Sequence, residues 1–399
     1  MTGARHACAA ALIALVMCAG TPAAAQDTRT EAIAAEQASK ARVLRPPQPD
    51  RAEQIIRWAQ EKFLLHPSGF FPTFESVYSG GGFTLGGGYR QFYADNAFWD
   101  VKGLYSLKNY KLIEVATISR DHMDGRATFG ARAGWRDATQ VAFYGIGISS
   151  AKDGRANYGF QQTYIAGTIE FRPVEWAVVG GGLGFDNYSL GEGSGNFPSI
   201  EERYLPVDAP GLGESLQYVH VDATAAIDWR TSPGYSRRGG YYGVGFHDYL
   251  DDNDTFSFKT VDAELIQHIP ILRENWVISL RGRLETEIGD SSSTPYFLLP
   301  SLGGGSTLRG YDSFRFRDKH SLLMSAEWRW IPNRLGLDMA LFYDAGRVAA
   351  ERKDLGLNGL KSNVGVGIRF HGPFSTPLRV ELAQGNEGLH LIFAGSPAF

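Results

Sequence analysis

The chain has 399 residues, a formal charge of −4, a mean hydropathy of −0.21 and two cysteines. Its 48 glycines are about 12% of the chain against a usual share of roughly 7%, and aromatic residues make up 13%. The absence of a basic run excludes a phosphate-tracking nucleic-acid binder. Beyond the N-terminal segment no stretch reaches the ~18 apolar residues of a spanning helix, which excludes a helical membrane protein.

Residues 1–25 read as an export signal, with a basic start (MTGARH), an apolar core (ACAAALIALVMCAG) and Ala23-Ala24-Ala25 as a small-residue cleavage site before Gln26. Cys8 and Cys18 both lie within it, and Met17 fits poorly before a lipid-modified Cys18. The exported chain therefore has no thiol for a disulfide framework, a thiolate metal site or a cysteine nucleophile. Residues 26–68 form an N-terminal extension. Its first half is rich in Ala, Glu and Lys, and Pro46-Pro47-Gln48-Pro49 interrupts it. In 51–65, Ala52, Ile55, Ile56, Ala59 and Phe63 follow a helical rhythm. Such a helix either packs on the following domain, lies at a membrane surface, or plugs or docks onto that domain.

From about residue 69 to 399 the period changes to two. Val219, Val221, Ala223, Ala225 and Ile227 oppose His220, Asp222, Thr224 and Asp228, and Val364, Val366 and Ile368 oppose Asn363, Gly365 and Arg369. Leu378, Val380 and Leu382 oppose Arg379 and Glu381. An apolar face, a polar face carrying charges of both signs, and an export signal together match a lipid-facing exterior around a wet lumen. Lipid tolerates no unpaired backbone groups, so the sheet must close. The expected fold is all-β, a closed antiparallel transmembrane β-barrel of about 16 strands. The windows run from 71–79 to 376–395, with 124–136 and 140–149 as separate strands; Gly385-Asn386 marks a turn that can split the last window. Residues 189–215 and 290–317 have neither period and read as surface or lumenal loops.

On the window at 318–331, Leu322, Met324, Trp328 and Trp330 share one parity, which turns Glu327 inward. On 334–347, Leu335, Leu337, Met339, Leu341 and Tyr343 face lipid, which turns Asp338 and Asp344 inward. An arginine on an infolded loop can reach carboxylates placed this way, because its rigid fork of donors suits two at once. Lumenal charge pairing without any moving part is the plainer alternative.

Residues 302–311 read Leu-Gly-Gly-Gly-Ser-Thr-Leu-Arg-Gly-Tyr, followed by Ala326-Glu327 and Asp344-Ala345-Gly346 on the next two strands. Leu308, Arg309, Gly310 and Tyr311 resemble the [VL]-R-G-[FY] motif of the BamA/TamA outer-membrane assembly superfamily, the bacterial surface antigen family. Asp228-Trp229-Arg230 with Pro233 and Gly239-Gly240 is similar to its upstream strand–turn signature. The likeness is clear over roughly 220–399 and rests on pattern alone over 70–220. It implies that Arg309 latches the loop to Glu327 and Asp344, that Gly310 permits a close turn and that Tyr311 packs beside it. The chain departs from the larger members in having no periplasmic repeat domains, as in the superfamily's short branch. The same likeness points to a weakly paired first–last seam, with Gly80 and Gly81 after the first strand and Gly388, Gly395 and the aromatic Phe399 at the other end; glycine and Pro397 weaken pairing there.

Enzymatic readings find little support. No histidine stands in a metal-protease pattern. His220 with Asp222 reads as a lumenal hydrogen-bonded filler, and Asp251-Asp252-Asn253-Asp254 as a solvated turn ahead of a calcium loop. The glycine runs at 80–82, 86–88 and 180–182 have no following helix to cradle phosphate. The expectation is an outer-membrane barrel without catalytic residues, cofactor or metal, acting as a monomer with lipid and nascent or translocating proteins as partners. It inserts or translocates amphipathic cargo through the seam; the alternatives are a passive pore and an anchor for a secreted partner.

Overall fold

The computed structural model describes residues 32–37, 54, 68–271, 274–289, 294–332, 336–371, 376 and 378–399. The chain divides into two compact units, Met1–Arg57 and Trp58–Phe399. In the first, residues 32–37 are helical. The export signal, and all of the 51–65 helix but Gln54, lie outside the described residues.

Alternation converts the second unit into one sheet. Its strands are β1 (Gly69–Thr73), β2 (Thr84–Ala94), β3 (Ala97–Ser106), β4 (Lys111–Asp121), β5 (Ala127–Phe143), β6 (Ala156–Val174), β7 (Ala177–Glu192) and β8 (Leu216–Asp228). They continue with β9 (Gly239–Asp251), β10 (Phe258–Ile271), β11 (Trp276–Ile288), β14 (His320–Trp330), β15 (Leu337–Ala349), β16 (Lys361–Phe370), β17 (Leu378–Gly385) and β18 (Gly388–Ala394). These make a 16-stranded antiparallel sheet in sequential order, the arrangement of an up-and-down barrel. Two short strands, β12 (Ser301–Leu302) and β13 (Phe316–Arg317), pair with each other outside it.

The strand count agrees with the sequence reading through two opposite differences. Windows 124–136 and 140–149 are one strand, β5, whose register shifts between Ala138 and Val141. That irregularity inverts the parity and makes one strand look like two. The last window is two strands, β17 and β18, joined at the Gly385–Gly388 pair. The first window is also shorter than expected. β1 ends at Thr73, and residues after it turn inward, burying Val77.

The outward faces are mainly apolar. Val364, Val366 and Ile368 are 57%, 50% and 51% exposed, and Val219, Val221, Leu341 and Leu382 behave alike. A continuous apolar exterior of this extent matches lipid and not water. Long connections, notably 193–215 and 289–319, gather at one end of the barrel and tight turns at the other. Beneath the long connections lies an aromatic core built from Tyr110, Phe143, Tyr158, Phe160, Tyr188, Tyr218, Tyr296 and Phe297. Tyr296 sits edge-on to Phe143 and Tyr158, with ring centroids 5.2 and 5.0 Å apart.

The two faces should respond differently to charge. Val366→Arg, near the middle of β16, is expected to cost about 2–4 kcal/mol of folding free energy in a bilayer. Thr128→Arg, on the lumenal wall, should leave the urea midpoint of bilayer-refolded protein close to wild type.

Candidate functional site

The connection between β11 and β14 folds back into the lumen. Its stem is the β12–β13 pair, and its tip spans 303–315. Gly303 and Gly304 take φ of +117° and +93°, which lets the backbone reverse direction. Thr307 Oγ1 then ties to Gly303, and Gly304 N donates to Tyr311 O at 3.0 Å. Leu302, Leu308, Tyr311 and Phe316 bury together against Leu323 of β14 and Val348 of β15. The Tyr311 hydroxyl donates to Ser362 O at 3.2 Å. Gly310 allows the tip to lie on β17, where a Cβ would stand 2.7 Å from Gly385 N.

This geometry brings Arg309 together with Glu327 and Asp344. Nε and Nη2 of Arg309 reach the two oxygens of Asp344 at 2.8 and 2.7 Å, and Nη1 reaches Glu327 Oε1 at 2.6 Å. The guanidinium carbon lies 3.4 Å from the centroid of the Phe342 ring. Burial alone would loosen the Arg309 proton, but the carboxylates of Glu327, Asp344 and Glu381 more than reverse that and raise its pKa. Arg309 therefore stays charged at every pH the protein meets.

The cluster is larger than the three residues singled out from the sequence. Arg369 donates to Glu327 Oε2 at 2.8 Å and to Glu381 Oε1 at 2.7 Å. Arg379 donates to Glu381 Oε2 at 2.6 Å, and Asn363 to Asp344 Oδ2 at 2.9 Å. Arg309, Arg369 and Arg379 thus alternate with Glu327, Asp344 and Glu381, and none of the six is more than 3% exposed. Desolvating so many charges is tolerable only when opposite charges and hydrogen bonds meet nearly every donor and lone pair. Arg369, Arg379 and Glu381 were legible as lumenal from parity, but parity does not say which inward charges meet. Asp338, the other inward carboxylate, is fully buried opposite Arg369 in register and stays apart from Arg309. Among the described residues neither of its oxygens has a hydrogen-bond partner.

The residues assigned to the seam scatter. Gly395 lies against the first-strand side, where a Cβ would stand 2.7 Å from Phe74 O. Phe83 and Phe393 meet edge-on at 6.0 Å. Among the described residues no backbone ladder joins β1 to β18. Gly80 and Gly81 are not at the edge of the sheet. They sit in the β1–β2 connection, Gly81 against the Tyr110 ring and Gly80 against Ser313 of the infolded loop. Gly388 has φ of +135° and serves the β17–β18 turn. Phe399 does not keep the outward parity of Leu389, Leu391 and Phe393. The strand ends at Ala394 and the chain bends into the lumen, where Phe399 faces the His268 ring at 6.5 Å and Arg281 at 5.8 Å. The lumenal His220 joins Asp222 at 2.9 Å, and His247 bridges Asp222 and Asp262 at 2.6 and 2.8 Å, in a row linking β8, β9 and β10.

A glycine-led loop locked by a buried arginine to two inward carboxylates, in a sequential 16-stranded barrel, has a counterpart among known families. Residues 222–387 match the Omp85 superfamily domain. Over that segment the chain is similar to an Omp85 domain. The match includes Leu308–Tyr311, Glu327 and Asp344 and leaves Gly80, Gly81, Gly388, Gly395 and Phe399 outside it. Among solved structures, this barrel is similar to BamA from Haemophilus ducreyi lacking POTRA domains 1–3. The two share 16% identity and a TM-score of 0.57, over 82% of this chain and 69% of that one. CdiB from Escherichia coli gives 12% identity and a TM-score of 0.58, over 82% and 61%. CdiB from Acinetobacter baumannii gives 11% and 0.50, over 82% and 56%. Likeness at these identities is one of fold. Among curated protein sequences none matches this one.

Arg309→Ala leaves three buried carboxylates facing two guanidiniums, and is expected to cost about 3–5 kcal/mol. Arg309→Lys should recover little of it, because one ammonium cannot hold both oxygens of Asp344 and also reach Glu327. Urea midpoints of the bilayer-folded variants measure both effects.

Proposed function

We propose that this barrel assists the insertion or translocation of protein, or of other amphipathic cargo, through the seam between β1 and β18, with the Arg309 loop as a latch inside the lumen. The carrying observation is the pairing of a tightly held loop with two weakly held edges. The loop is secured by a buried ion cluster, whereas β1 bonds to β2 over five residues and β18 to β17 over seven. Strands β2 to β11 run from ten to nineteen residues. Every other strand of the 16-stranded sheet has a ladder on both sides. At the seam, unpaired N–H and C=O groups are available to an incoming strand, which exchanges an unfavourable exposure to lipid for ladder bonds.

The fold neighbours BamA and CdiB support this reading at the level of architecture. The function needs no catalytic group, cofactor or metal, and it fits a monomer whose surroundings are lipid and translocating protein. A passive pore fits less well, because the aromatic core occupies the lumen beneath the long connections.

Two measurements test the proposal. In planar bilayers the wild-type barrel should show little steady conductance, and Arg309→Ala should show frequent openings; a large constant current unaffected by the substitution would identify a pore. In living cells, photo-crosslinkers placed along β1 and β18 should capture nascent or translocating polypeptide. Capture of one stoichiometric companion would instead favour an anchor.

A further inference from the structure

The two sides of the lumen treat their arginines differently. Against the wall of β14 to β17, Arg309, Arg369 and Arg379 all sit in ion pairs. On the wall of β4 to β6, Arg120, Arg126 and Arg132 are exposed, and among the described residues none of them pairs with a carboxylate. Arg120 and Arg126 line a recess of about 750 Å³ at the tight-turn end, which is the periplasmic end of an outer-membrane barrel. Glycine carves its wall. A Cβ on Gly130 would stand 2.7 Å from Thr168 Oγ1, and one on Gly180 would collide with Thr224 Oγ1. With hydrogen in those places the threonines lie along the wall and the hollow stays open. Pro233 of the β8–β9 connection closes one side. That connection is itself fixed, because Tyr235 stacks on His371 with ring centroids 3.4 Å apart and Arg329 donates to Ser236 O. The acids around the recess are already engaged: Glu170 by Arg172 at 2.9 Å, Asp222 by His220 and His247, and Asp121 by Asn96.

We propose that this recess binds an extended acidic segment of polypeptide. Charge selects the sign. Guanidinium forks suit carboxylates, and unpaired cations beside acids that are already engaged attract anions into the hollow. Spacing selects the length. Arg126 and Arg132 stand six residues apart along one strand, about 20 Å at ~3.3 Å per residue, and a single phosphate cannot meet both. An extended segment of similar length can, with acidic side chains towards its two ends. The lining selects against a lipid. Apart from Ile118 and Pro233, the side chains turned into the recess are small or polar, so an acyl chain finds little to pack on. Thr128, Thr168 and Thr224 instead offer hydroxyls to peptide groups, and the volume falls within the range of ligand sites. The inference deepens the function proposed above, and rests on it in one respect: that the segment belongs to translocating protein.

The test uses the full chain folded in an uncharged detergent, with heat-modifiable gel mobility to show that each variant is folded. Fluorescein-labelled hexaglutamate and hexaglutamine are titrated with the protein and followed by fluorescence anisotropy. Hexaglutamate should bind at least tenfold more tightly than hexaglutamine. Arg120→Gln combined with Arg126→Gln should weaken it about tenfold, which at about 1.4 kcal/mol per decade is what two half-exposed ion pairs supply. Thr168→Trp, which fills the hollow without touching a charge, should weaken it at least as much. Arg203→Gln combined with Lys353→Gln removes the same charge from exposed positions among the long connections and should change nothing. Equal binding of the neutral peptide, an unchanged affinity in the Arg120 and Arg126 variant, or an equal loss in the Arg203 and Lys353 control overturns the proposal. So does displacement of hexaglutamate by an equal concentration of inorganic phosphate, which would mark a simple anion site. If the peptide binds as expected while crosslinkers on β1 and β18 capture no polypeptide in cells, the transport reading fails and the site stands; the reverse pair of results removes the site and leaves the transport reading.

Discussion

Hydrocarbon gives a peptide group nothing to bond to, and that constraint shapes this molecule more than any other. It demands strands that pair on both sides, apolar side chains at every second position, and a sheet that returns to its own beginning. The chain meets the demand with an unbroken succession of ladders from β1 to β18. The place where it is met least fully, between five-residue β1 and seven-residue β18, is also where the loop, the ion cluster and the inward-bending residues after Ala394 converge.

The ion cluster carries weight of another kind. Three guanidiniums and three carboxylates shut away from water add little net stability, since desolvation consumes most of what their attraction returns. What they supply is definition. Arg309 fits one location, because only there do Asp344, Glu327 and the Phe342 ring meet its fork at once. A loop fixed by apolar contacts alone, such as those of Leu308 and Tyr311 with Leu323 and Val348, would tolerate sliding. Charge alternation across β14 to β17 removes that freedom, and the loss of one member disturbs the others.

The barrel was legible because lipid imposes its pattern residue by residue, and so was the inward aim of Glu327 and Asp344; the infolding of the loop around Arg309 was only an implication of its motif's likeness to a known family. Local irregularity misled where it broke the period. The shift between Ala138 and Val141 divided β5 on paper, whereas the turn signal at Gly385-Asn386 did mark where the last window splits into β17 and β18. Composition misled at the margins. Glycine reads as weak pairing wherever it occurs, yet Gly388 serves a turn, Gly81 makes room for Tyr110, and only Gly395 lies against the opposite edge. Phe399 was expected to continue the strand, and instead finds His268 and Arg281 across the lumen.

Alternation along each strand, a property of neighbours in the chain, determined by sequence alone that this protein is a lipid-embedded barrel with a polar interior. Which inward charges touch depends on shear and register around the whole circumference, and no single strand contains that information. The register of neighbouring strands and the infolding of the loop decided that Arg369, Arg379 and Glu381 complete the site of Arg309, and that residues as distant as Tyr78 and Phe314 meet.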